Sequence, residues 1–85
     1  MTGMLWFDND PKTTLEQKVV NALKHHVTRF GRAAEIVVIN PKNADGVDLA
    51  ELSKSCNIII KAARYVTSQH MIVGFEDPVL ELKRS

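Results

Sequence analysis

The sequence predicts an α+β domain: a small two-layer βα-β-(short α)-ββ fold with one long helix across one face of a mixed four-stranded sheet. Three observations carry that prediction. A capped, helically periodic stretch runs from about residue 14 to residue 30. Apolar runs at 35–40, 58–60 and 70–75 have strand length and no helical period. The chain has 85 residues, enough for one small core and no second. A single domain is expected over residues 1–78, with 79–85 as a C-terminal tail or short edge strand.

The first element is Met4-Leu5-Trp6-Phe7, a short buried strand ended by the turn-forming cluster Asp8-Asn9-Asp10-Pro11. In the following helix, Leu15, Val19, Leu23, His26 and Phe30 share one face, flanked by Ala22 and Val27. Gln17, Lys18, Asn21, Lys24, His25, Thr28 and Arg29 populate the other side. Thr13 and Glu16 have the spacing of a capping box, in which each side chain satisfies an otherwise orphan backbone N–H. Asp8 and Asp10 before the helix, and Lys24 and Arg29 near its end, match its dipole. Gly31 is placed as the left-handed cap.

Glu35 to Asn40 reads as a strand halted by Pro41, and its β-branched run predicts burial on both faces, as in a parallel or central strand. Strand, helix and strand then make a βαβ unit with a right-handed crossover. Pro41 to Gly46 is a loop, and Asp45 or Asp48 caps a short helix through about Ser53, with Leu49, Leu52 and Cys56 on one side. Asn57 to Val66 holds a third strand, strongest at Ile58-Ile59-Ile60. Thr67-Ser68-Gln69 is a turn, His70 to Phe75 is the last core strand, and these final two strands are expected to pair as an antiparallel hairpin. Val79 to Lys83 alternates weakly.

Composition narrows the function. Eleven basic against 10 acidic residues, a net charge of +1, is too even for work done by a strong field on nucleic acid or anionic membrane. Hydrophobic residues at 45% and charged residues at 25% are ordinary for a globular chain. One cysteine cannot form an internal disulfide. No apolar run approaches the ~18 residues needed to span a bilayer, and the start MTGMLWFDND lacks the basic region of a signal peptide. A soluble cytoplasmic domain is the expectation.

The elements WFDNDPKTTLEQK (6–18), FGR (30–32), INP (39–41) and HMIVGFE (70–76) resemble a group of short bacterial proteins with no known activity. That group shares a Trp-[Phe/Tyr]-Asp-x-Asp start, a helix ending near Phe-Gly-Arg, an Asn-Pro after the second strand and a His-x-x-x-Gly strand near the end. The present chain departs before His70, where the group tends to carry Pro and Ser near an Arg and Lys61-Ala62-Ala63-Arg64-Tyr65-Val66 stands instead. The resemblance implies a small mixed sheet-and-helix domain and no activity.

Several residue sets invite a chemical reading. Asp8-x-Asp10 offers two carboxylates to a hard cation or a basic partner. The flanking residues do not follow the EF-hand pattern, however, and Asp beside Pro before a helix is turn and capping chemistry, with Lys12 neutralising part of the charge. His25 and His26 diverge by about 100° on a helix, so they do not chelate one ion; His25 is expected in solvent and His26 on the apolar face. Cys56 at an apolar strand entrance reads as a small buried hydrophobe; a catalytic thiol needs a base such as His70 beside it. Lys54, Lys61, Arg64 and Tyr65 suggest a basic, aromatic surface for single-stranded nucleic acid, but strand alternation sets Arg64 opposite Lys61 and Tyr65 unless a bulge intervenes. Phosphate-loop, dinucleotide-binding and nucleophile-elbow signatures are absent from the sequence.

One constellation outweighs its parts. Ligands tend to bind beyond the carboxyl ends of parallel strands. That edge gathers Asp8, Asp10 and Lys12 after the first strand and Asn40 and Lys42 after the second. Arg64 and His70 join them if the third strand is also parallel. The candidate ligand- or partner-binding residues are therefore Asp8, Asp10, Lys12, Asn40, Arg64 and His70; no catalytic residue, metal or cofactor is expected.

The functional expectation is a noncatalytic binding or assembly module acting as a homo-oligomer. The alternatives are a small nucleic-acid-associated accessory protein, or a ligand-binding or enzymatic domain using the polar edge. One helix covers roughly two strands, whereas Ile36–Ile39, Ile58–Ile60 and Met71–Val73 place apolar side chains on both faces of the sheet. A homodimer burying sheet-face or hairpin residues removes that patch from water, with the Val79–Leu82 tail covering part of it or crossing to the partner.

Overall fold

The structure, a computed structural model, describes residues 2–75. Its elements are β1 (Thr2–Phe7), α1 (Leu15–Phe30), β2 (Ile36–Ile39), a 3-10 turn at Pro41–Ala44, α2 (Leu49–Cys56), β3 (Ile59–Ala62) and β4 (His70–Phe75). The expected tail or edge strand at 79–85 lies outside the described residues.

Thr14, not Thr13, starts the long helix. Its hydroxyl oxygen accepts the Gln17 N–H at 3.1 Å, and the extended backbone of Thr14 suits the cap position. Thr13 is drawn away because its hydroxyl donates to Asp10 Oδ2 at 2.9 Å. Gln17 stands where a capping-box partner would, yet its side-chain amide donates to Asn21 Oδ1, so only half of the box forms. At the other end Gly31 takes φ 72° and donates its N–H to the Val27 carbonyl. Val19, Ala22 and His26 are buried at the centre of the packed stripe. Leu15, Leu23 and Phe30 pack against its margins, and Val27 is exposed.

Asp48 caps α2, its Oδ1 accepting the N–H groups of Ala50 and Glu51 at 3.0 and 3.2 Å. The helix runs past Ser53 to Cys56 because the stop is Asn57, which adopts the left-handed conformation at φ 54°. The Ser53 hydroxyl donates to the Ile58 carbonyl and leads the chain into β3.

The strand order is β1-β4-β2-β3. β4 is antiparallel to both its neighbours, and β2 and β3 are parallel. Two expectations change. β1 and β2 do point the same way, but β4 is inserted between them, so the βαβ unit is split. β3 and β4 form no hairpin. After β3, Ala63 N–H donates to the Ile39 carbonyl and Asn40 Nδ2 donates to the Val66 carbonyl at 2.7 Å. These bonds, with burial of Val66 at 2% exposure, carry the connection across the end of β2 instead of turning it back.

The register sorts the side chains by period two. Met4, Trp6, Val37, Ile39, Met71 and Val73 share the face under α1 and α2, and with Val19, Ala22, Leu52 and Ile58 most of them form the core. Leu5, Phe7, Ile36, Val38, Ile59 and Ile72 share the opposite face. Gly3 and Gly74 lie directly opposite each other in β1 and β4. A Cβ on Gly3 would meet the Val73 carbonyl and Gly74 Cα; one on Gly74 would meet the Thr2 carbonyl and Gly3 Cα. Only glycine allows this approach.

Candidate functional site

Because β1, β2 and β3 are co-directional, their carboxyl ends meet at one edge of the sheet, where β4 begins. Three connections converge there and are tied together. Asp8 N–H donates to the Gln69 carbonyl at 3.1 Å. Gln69 N–H donates to Asn43 Oδ1 at 2.8 Å, and Lys42 N–H to Asn40 Oδ1 at 2.8 Å. His70 N–H closes the 67–70 turn on the Thr67 carbonyl. Gln69 sits in this turn at φ 66°, a left-handed conformation that a side chain makes costly.

A cavity of about 220 Å³ opens between these connections and the start of α1. Buried Ile39 and Met71 line it together with Leu15 and Val47, and the polar lining is Asp8, Thr13, Lys18, Asn43, Gln69 and His70. Lys18 Nζ donates to the backbone carbonyl of Asp8 at 3.3 Å, not to its carboxylate. Asp8 Oδ1 accepts the Asp10 N–H at 3.0 Å. His70 Nδ1 lies 2.9 Å from the Ser68 carbonyl. A carbonyl only accepts, so the bond assigns a proton to Nδ1. The imidazole rests on Phe7, ring centroids 4.8 Å apart.

Of the six residues anticipated from sequence, Asp8 and His70 line this cavity. Asp10 and Lys12 are engaged in the turn: Asp10 Oδ1 accepts the Lys12 N–H at 2.9 Å, and that bond, then the one from Thr13, holds the carboxyl below its ordinary range. Asn40 spends both ends of its amide on Lys42 and Val66, and with Arg64, Pro41 and Lys42 it lines a separate open depression. Lys18, Asn43, Thr13 and Gln69 were missed. Lys18 follows Leu15 by three positions, the helical spacing that places both on one side of α1, and that was the available signal.

The remaining candidates disperse. Lys54 lines a depression with Asn57 and Ile59 beside α2, Lys61 shares the open sheet face, and Tyr65 stands 76% exposed in the loop after β3. Cys56 is half-buried and does not line the cavity of His70; burial first, and the Glu16 carboxylate second, push its thiol up, away from the thiolate. His25 is exposed with its ring 5.0 Å from Trp6, whereas His26 is fully buried with Nδ1 2.9 Å from the Arg32 carbonyl. Among the described residues no three His, Cys, Asp or Glu side chains are grouped to hold a metal ion. No described helix is long and apolar enough to cross a membrane.

The second candidate surface is the sheet face away from the helices. Leu5, Phe7 and Ile59 there are 62%, 55% and 55% exposed. No family model, curated protein or solved structure matches the chain.

Proposed function

We propose that this chain is a noncatalytic binding and assembly module that works as a homo-oligomer, joined through the open face of its sheet. The observation that carries the reading is the exposure of Leu5, Phe7 and Ile59 on one face, which half-buried Ile36 and Ile72 share and in which Val38 is buried. An aliphatic or aromatic side chain gains about 1.5–3 kcal/mol when fully withdrawn from water. A contiguous patch of this kind is what a two-fold contact between identical copies removes from solvent. The raised Cys56 thiol and the engagement of Asp10 and Asn40 in local hydrogen bonds support a role in binding over one in catalysis.

Sedimentation equilibrium at micromolar concentration tests the proposal. The expected species has twice the 9.5 kDa chain mass and dissociates on dilution. Leu5→Glu should return it to the monomer with an unchanged circular dichroism spectrum. A 9.5 kDa species at every concentration removes the reading.

A further inference from the structure

We infer that the cavity at the carboxyl edge of the sheet binds a small zwitterion, an α-amino acid with a short apolar side chain. This site adjoins the open sheet face at His70, whose ring rests on Phe7, and the inference stands whether or not that face self-associates.

Size comes first. A cavity of about 220 Å³ has room for the equivalent of roughly seven waters. That is below the ~300–1,000 Å³ of sites that take drug-sized ligands. A nucleotide or a peptide does not fit inside it, and an amino acid does.

Charge comes second. Lys18 and Asp8 bring opposite charges to one cavity, yet they are not spent on each other, because the ammonium bonds the Asp8 carbonyl and the carboxylate takes the Asp10 N–H on a single oxygen. Lys18 keeps two N–H donors for a ligand carboxylate, and Asp8 keeps Oδ2 for a ligand ammonium. A plain carboxylate meets the Asp8 charge and a plain amine meets the Lys18 charge. A zwitterion alone satisfies both without adding net charge.

The remaining lining fits the same class. Asn43 commits its Oδ1 to Gln69 and keeps its Nδ2 donors; His70 commits Nδ1 to Ser68 and keeps Nε2. Ile39, Met71, Leu15 and Val47 offer an apolar surface for the ligand side chain. The bonds from Asp8 to Gln69 and from Gln69 to Asn43 fix two walls of the cavity before any ligand arrives.

The test is an NMR titration of the ¹⁵N-labelled full chain with L-valine, N-acetyl-L-valine and L-valinamide, each to roughly 10 mM, enough to detect millimolar affinity. Valine should shift the amide signals of residues 8, 18, 43, 69 and 70, and each derivative should bind about tenfold or more weakly, since each lacks one charge. In Asp8→Asn the acetyl derivative should bind as well as valine; in Lys18→Met the amide should. The wild-type pattern of the remaining amide signals verifies the fold of each variant, and Leu5→Glu should retain valine binding. No shift with valine, shifts confined to other residues, or derivatives that bind the native chain as well as valine does would each overturn the inference.

Discussion

Asp10 contributes to folding without being buried. Its carboxylate receives the Lys12 N–H and the Thr13 hydroxyl, and these bonds hold its acidity stronger than that of a free side chain. In the interval below the ordinary carboxylate pKa of about 4, the unfolded chain therefore binds more protons than the folded one. Stability rises with pH across that interval: the contribution is present above it and is lost as pH falls through the folded-state value. Asp10→Asn should flatten the dependence of the urea midpoint on pH below about 4, and an unchanged slope counts against the assignment. The same residue shows what sequence reading can and cannot do at this scale. The Asp-x-Asp-Pro cluster announces a turn, and Asp8 and His70 flank strands that are visible as apolar runs, so both could be placed at the edge. Asn43 and Gln69 join them only through a hydrogen bond between segments distant in sequence, which local pattern does not encode.

At the scale of the element, boundaries were legible and neighbours were not. Gly31 and Pro41 stop their elements by backbone chemistry, whereas Asn57 ends α2 beyond the expected Ser53, and the run Ile36–Ile39 signalled an interior strand, the position β2 holds. Alternation along a strand says which side chains share a face, but not which strand lies beside it. The pairing of β1 with β4 depends instead on the facing glycines Gly3 and Gly74. Gly74→Ala should destabilise the protein by roughly 1–3 kcal/mol, the range for overpacking, because the new methyl group meets backbone atoms that cannot swing aside. A thermal melt resolves a change of that size. A loss below about 0.5 kcal/mol, the usual range for surface substitutions, is incompatible with the close approach of these strands.

Across the whole molecule, the sheet is assembled out of chain order. β4, the last strand in sequence, sits between the first two, and β1 has no other strand neighbour among the described residues. Deleting residues 69–85 should leave a chain without the native circular dichroism or dispersed amide signals, even though α1 and the β2–β3 segment remain. Addition of a peptide of residues 69–85 should recover both signals, and a truncated chain that retains native dispersion would show that β4 is dispensable. During synthesis the same insertion imposes a timetable. Met4, Leu5, Trp6 and Phe7 wait without a pairing strand until Phe75 has been made, some seventy residues later. Contacts this distant along the chain form slowly. Until β4 has been made, the nascent protein presents an apolar strand that lacks its pairing partner, and that strand is where a holding chaperone would first engage it.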